Sequence, residues 1–164
     1  MNVNEIKVKV QKNGSFGKDK SNFKLKKQIP FFKKEIEILI YNIRNQDNDD
    51  DWKLTQEIIE GLLKFPESNK VWMKNEMWKH YEACIEETDY GMVDYGDYEN
   101  HKKSNLDYFK IYNPDDAFEN AKLEYISFEV DFKLNYFLLY FKCPWDDEHG
   151  MTIEVKNGHF ASIQ

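Results

Sequence analysis

Arginine is almost missing from this chain: Arg44 is the only one of its 23 lysines and arginines that is not lysine. The planar guanidinium is the side chain best matched to phosphates and guanine edges. Its scarcity argues against a nucleic-acid partner, even though residues 1–34 carry ten lysines against Glu5 and Asp19. Cysteine is nearly as scarce. Cys84 and Cys143 stand far apart in 164 residues, a length that buries a core without a disulfide staple, so a reducing compartment is the simplest setting. Long apolar runs are absent too. The strongest, 36–43 and 136–141, have the length of a strand, well short of the roughly 18 residues that span a bilayer. The first ten residues lack an apolar stretch leading to a small-residue cleavage site. A cytoplasmic protein without membrane contact is expected. The catalytic signatures missing are the G-x-S-x-G elbow, the phosphate-cradling glycine loop and H-E-x-x-H.

What is present reads as one α+β domain over residues 1–164. Hydrophobic residues make up 41% and aromatic residues 16%, enough for a core with large side chains. Ile6, Val8 and Val10 alternate with lysines, the period-two pattern of a half-buried strand, and Asn13-Gly14 marks a turn after it. Phe23 and Leu25 suggest a second strand, and residues 36–43 a third that is buried on both faces for part of its length. The acidic run 47–51 precedes a helix that carries Trp52, Ile58, Ile59, Leu62 and Leu63 and stops before Pro66. A second helix after Ser68 places Met73, Met77, Tyr81 and Cys84 or Ile85 at helical spacing, with Trp72 and Trp78 widening the apolar face. Asn113-Pro114 has the form of an N-cap followed by proline at the first helical position, opening a short third helix. The remainder alternates again. Residues 126–132 and 137–143 form two strands, Met151, Ile153 and Val155 a third, and Asn157-Gly158 turns the chain into a fourth. The expected architecture is an antiparallel sheet from the N-terminal strands and a C-terminal four-stranded meander, covered by an αα-hairpin and a short third helix.

Two segments concentrate polar chemistry. Residues 86–99 read EETDYGMVDYGDYE, with no periodicity, and are expected to form an exposed loop reaching about Asn105. Its Tyr90, Asp94, Tyr95, Asp97, Tyr98 and Glu99 combine rigid amphipathic rings with charge that steers a basic partner. The first 34 residues sum to +8 and the chain to −7, so residues 35–164 carry −15. The second segment is Pro144 to Gly150, expected as a loop between strands. Asp146, Glu148 and His149 are of the types that ligate a divalent cation or orient a water, which defines a metal-dependent enzyme as one alternative. The bland reading is that Trp145 packs on the sheet, Asp146 accepts backbone N–H bonds and Gly150 takes a positive φ, so that the motif specifies shape. Cys84, Cys143, His149 and His159 match a Cys₂His₂ zinc site in count but contain no C-x₂-C or H-x₃-H pair. No metal or cofactor is expected. His80 and His101 fall on a helix and in a loop, without a neighbouring nucleophile.

Residues 137–163, FLLYFKCPWDDEHGMTIEVKNGHFASI, resemble a family of bacterial domains of unknown function marked by a strand, W-D-x-E-H-G and a hairpin. Trp145, Asp146, Glu148, His149 and Gly150 match that signature residue by residue, and the segment from about Pro114 is similar, so the resemblance covers the last third. It implies an α+β fold without assigned activity and, for some relatives, a role as immunity proteins in bacterial toxin systems. The lysine-rich start and the tyrosine-acid loop depart from the pattern. The resulting expectation is a protein-binding module that meets an unidentified protein, such as a basic toxin domain, through an acidic, tyrosine-bearing surface. The remaining alternative is a structural domain of a larger assembly.

Overall fold

The computed structural model describes residues 1–16, 20–44, 49–87, 98–132 and 135–164. Helix α1 (Val3–Lys9) leads into β1 (Gln11–Phe16), β2 (Lys20–Ile29) and β3 (Lys34–Ile43). Helices α2 (Asp49–Leu63), α3 (Asn69–Glu87), α4 (Tyr98–Phe109) and α5 (Pro114–Asn120) follow, then β4 (Lys122–Glu129), β5 (Tyr136–Cys143), β6 (Asp146–Lys156) and β7 (His159–Ile163). The seven strands form one mostly antiparallel sheet in chain order, so the protein is α+β as expected. Strand β2 pairs antiparallel with β1 and β3, while β3 and β4 run parallel. A parallel pair needs a long connection, and here it contains α2 to α5.

The residues group into two compact units. Unit 1 comprises 1–67, 124–140 and 152–162, and unit 2 comprises 68–123, 141–151 and 163–164.

Unit 1 begins with a correction. Glu5 N–H donates to Asn2 Oδ1 (2.9 Å) and Asn2 N–H to Glu5 Oε2 (3.1 Å). This capping box winds residues 3–9 into a helix where the alternation predicts a strand. Helical spacing then separates the side chains a strand would align: Ile6 is buried and Val8 is 85% exposed. Asn13-Gly14 lies inside β1, where Gly14 at φ +107 accompanies a break in register between Lys12 and Ser15; it makes a bulge, not a turn. Strand β3 buries one face only, through Ile36, Ile38, Ile40 and Ile43, while Leu39 and Tyr41 opposite are half-buried. The step from Ile40 to Ile43 breaks the two-residue period, and a bulge explains it. Ser21 pairs with Ile43 and Phe23 with Ile40, with Asn42 at φ +64 between. The Asn22 side chain accepts the Asn42 N–H (3.1 Å), and the Asn42 amide donates to Glu129 (3.0 Å). Helix α2 starts within the acidic run and ends before Pro66, as its pattern predicts. Its Trp52 meets Phe23 edge-on at 5.3 Å, and Phe31, Phe65 and Phe137 form a further chain of edge contacts. Strand β4 starts four residues earlier than the pattern suggests, at Lys122, and ends at Glu129 because Val130–Phe132 tighten into a 3₁₀ turn.

In unit 2, Met73, Met77, Tyr81 and Ile85 recur every fourth residue on α3 and are all buried. Helix α4 is the second correction. Residues 98–105 are helical where a loop is expected, and 88–97 lie outside the described residues. Among the side chains of α4 that are described, 102–109, the fully buried one is Asn105, whose amide donates to the Ile85 carbonyl (2.9 Å). A helix anchored by a polar side chain leaves no apolar stripe to read. Asn113 caps α5, accepting the Asp116 N–H at 3.0 Å, and Lys74 pairs with Asp115.

Candidate functional site

Pro144 and Trp145 make the tight reversal between β5 and β6. Strand β6 therefore begins at Asp146, five residues earlier than the pattern suggests, and most of the W-D-x-E-H-G motif is strand rather than loop. The Trp145 side chain is fully buried and packs on α3. Its ring meets Tyr81 edge-on at 5.3 Å, and its Nε1–H donates to His80 Nδ1 at 3.0 Å. An imidazole nitrogen that accepts carries no proton, so this bond assigns the neutral tautomer with hydrogen on Nε2. Burial acts in the same direction: it pulls the His80 pKa below 6.5, against a smaller upward pull from Asp146.

Asp146 converges with residues the sequence reading did not group with it. Ligand atoms of His80, Cys84 and Asp146 all lie within 4.8 Å of one another, and they make the one such group among the described residues. Cys84 is one helical turn from His80, its Sγ 3.8 Å from Nδ1. Glu148 and His149 are exposed and stand outside this group. His149 instead orients the carboxylate, with its N–H donating to Asp146 Oδ1 at 3.1 Å and its Nδ1 lying 3.3 Å from the same oxygen. Gly150 takes φ +69, and a Cβ there would sit 2.5 Å from the Phe141 carbonyl oxygen. The Cys₂His₂ set is not assembled among the described residues, and Cys84 and Cys143 form no disulfide. The Cys143 thiol is pushed up to about 12, first by burial and then by Asp146 and Cys84. Tyr81 has a buried hydroxyl without a hydrogen-bond partner, and its pKa is raised by that burial. The signal that could have found His80 and Cys84 is their i, i+4 spacing on a strongly patterned helix.

Tyr90, Asp94, Tyr95 and Asp97 lie outside the described residues; Tyr98 and Glu99 open α4, and His101 is also on that helix rather than in a loop. Tyrosines do cluster elsewhere. Tyr41 of β3, Tyr125 of β4 and Tyr140 of β5 occupy positions that alternate with the core residues of three neighbouring strands. The rings of Tyr125 and Tyr140 stack at 4.3 Å with an angle of 20°. Burial, followed by the nearby Tyr140, raises the pKa of both Tyr41 and Tyr125. Carboxylates border them: Glu37 pairs across the register with Tyr125, and Glu129 with Tyr41. The signal here was the alternation itself, which places Tyr125 and Tyr140 opposite their apolar neighbours.

No helix among the described residues is long and apolar enough to cross a membrane. No curated protein and no solved structure matches the chain. Residues 12–164 match one family from β1 to the last residue, across both units, and on that match the chain belongs to the family described as a domain of unknown function, DUF6985.

Proposed function

We propose that the protein is a non-enzymatic binding module, of the bacterial immunity type, that holds a basic protein partner in the cytoplasm. The observation that carries this reading is the tyrosine cluster of unit 1. Tyr41, Tyr125 and Tyr140 are half-buried on adjacent strands, and Tyr125 and Tyr140 stack on each other. Rings fixed on strands offer a large amphipathic contact at low entropic cost. Glu37 and Glu129 beside them, and the −15 carried by residues 35–164, supply the charge that speeds encounter with a cationic surface. The acidic residues 94–99 extend the same chemistry along the chain. Cys84 and Cys143 form no disulfide, which suits a reducing compartment.

The test is titration calorimetry of the purified chain against basic toxin domains encoded beside its gene. A Tyr125→Ala/Tyr140→Ala variant should bind at least about 30-fold more weakly, the loss of one interface hot spot, and wild-type association should slow as salt is raised. Equal affinity of wild type and variant would remove the tyrosine face from the reading. Failure to bind any neighbour-encoded protein would favour a structural domain of a larger assembly. Turnover of a substrate that depends on Glu148 and His149 would favour the metal-dependent enzyme, whose three residues do not converge in the fold.

A further inference from the structure

We propose that His80, Cys84 and Asp146 form a site for one divalent cation of the zinc type, which the Trp145 indole competes against in the cation-free protein. The three donors are nitrogen, sulfur and carboxylate oxygen, a set that suits zinc or cobalt and suits magnesium or calcium poorly. Their ligand atoms already lie within 4.8 Å of one another. In a tetrahedral site with bonds of about 2.0–2.3 Å, neighbouring ligand atoms are about 3.5 Å apart, so small rotations of three side chains complete the approach. Two ligands share one face of α3 at i, i+4 spacing, and the third is the first residue of β6. All three are partly exposed, which leaves an entry path and a fourth position for water. Asp146 has the outer support a ligating carboxylate needs, because the His149 N–H fixes its Oδ1.

Competition follows from the hydrogen bond of Trp145. A ligating histidine normally donates a proton from its other nitrogen, and His80 already keeps its proton on Nε2, but its Nδ1 lone pair accepts the indole N–H. A cation taking the Nδ1 lone pair, the nitrogen nearer Cys84 Sγ (3.8 Å against 4.0 Å for Nε2), must displace the indole N–H. Binding forms nitrogen, sulfur and oxygen bonds to the metal, breaks the S–H bond of Cys84 and releases that proton to solvent. The site is independent of the partner-binding face, and its test uses the protein alone.

The experiment is titration of the full-length protein with zinc and cobalt(II) at neutral pH, with bound metal measured by elemental analysis. One equivalent is expected, with thiolate-to-cobalt charge-transfer absorption, and zinc should slow modification of the Cys84 thiol by a soluble thiol reagent. Cys84→Ser should abolish the charge-transfer band. Glu148→Gln should bind as wild type does, since Glu148 is exposed and stands outside the group. Trp145→Phe should bind about fivefold more tightly, the scale of one net hydrogen bond. Substoichiometric metal, an unchanged band in Cys84→Ser, or unchanged thiol reactivity in wild-type protein with zinc would each overturn the proposal. The last measurement needs no variant and stands if a substitution unfolds the chain.

Discussion

Truncating Trp145 removes two things at once: the ring that fills the space against Tyr81 and the N–H that satisfies His80 Nδ1. Trp145→Ala should therefore cost about 3–5 kcal/mol, the usual range for a buried large aromatic. Trp145→Phe keeps most of the ring and loses the hydrogen bond, for about 1 kcal/mol. His149→Ala, at a side chain 82% exposed, should cost less than about 0.5 kcal/mol. Urea denaturation of the three variants checks the order, and equal small losses would mean that the turn owes its sequence to something other than shape. Gly150 makes a complementary case. A methyl group there must enter the Phe141 carbonyl oxygen at 2.5 Å while the backbone stays at φ +69, so Gly150→Ala should lower stability by about 2 kcal/mol or more. The same thermal or urea measurement reads it.

At the level of whole elements, the junction between β3 and α2 depends on one buried carboxylate. Asp51 is almost fully buried, and it accepts the backbone N–H of Arg44 (2.9 Å) and the Arg44 guanidinium (2.7 Å). Asp51→Ala strands that backbone donor. It should cost about 2 kcal/mol, below the roughly 3–5 kcal/mol of a fully buried pair, because Arg44 itself is 41% exposed and can be hydrated. A denaturation midpoint unchanged in this variant would show that α2 is held by Trp52 and its apolar face alone. Helices α2, α3 and α5 and strands β2 to β7 were legible in the sequence because apolar periodicity, a capping proline or, for β7, the Asn157-Gly158 turn announced each of them. Helix α1 was misread, since the alternation from Ile6 to Val10 outvoted a cap formed by Asn2 and Glu5. Helix α4 was invisible because the fully buried residue among its described side chains is the polar Asn105. The candidate site was half legible: Trp145 and Asp146 stood out in a dense motif, whereas His80 and Cys84 join them only through a contact 65 residues away in the chain. Motif reading instead favoured Glu148 and His149, which are neighbours of Asp146 in sequence and point into solvent.

Across the molecule, the tyrosines of unit 1 set its behaviour in alkali. Burial first, and then Glu129, Glu154 and Tyr140, push Tyr136 from 10.0 to about 12, and Tyr41 and Tyr125 shift the same way. The folded state thus holds protons that the unfolded chain releases first. Their stabilising contribution is complete below pH 10 and is lost as pH rises toward 12. Stability measured against pH should fall in that window, less steeply in Tyr136→Phe, and the native variant should lose part of the tyrosinate absorbance that develops above pH 10; an unchanged late absorbance in the variant would contradict this. The parallel register of β3 with β4 has a different consequence, for the order of folding. Strands β1 to β3 are joined by short connections and can zip as local hairpins on the microsecond scale. The β3–β4 pairing, from Glu37 with Tyr125 to Tyr41 with Glu129, instead closes a loop through most of unit 2. Its entropic cost must be met before any of its contacts form. On a ribosome, the first three strands emerge with the β4 side of β3 unpaired, and that edge stays open to other chains until residues 122–129 have been made.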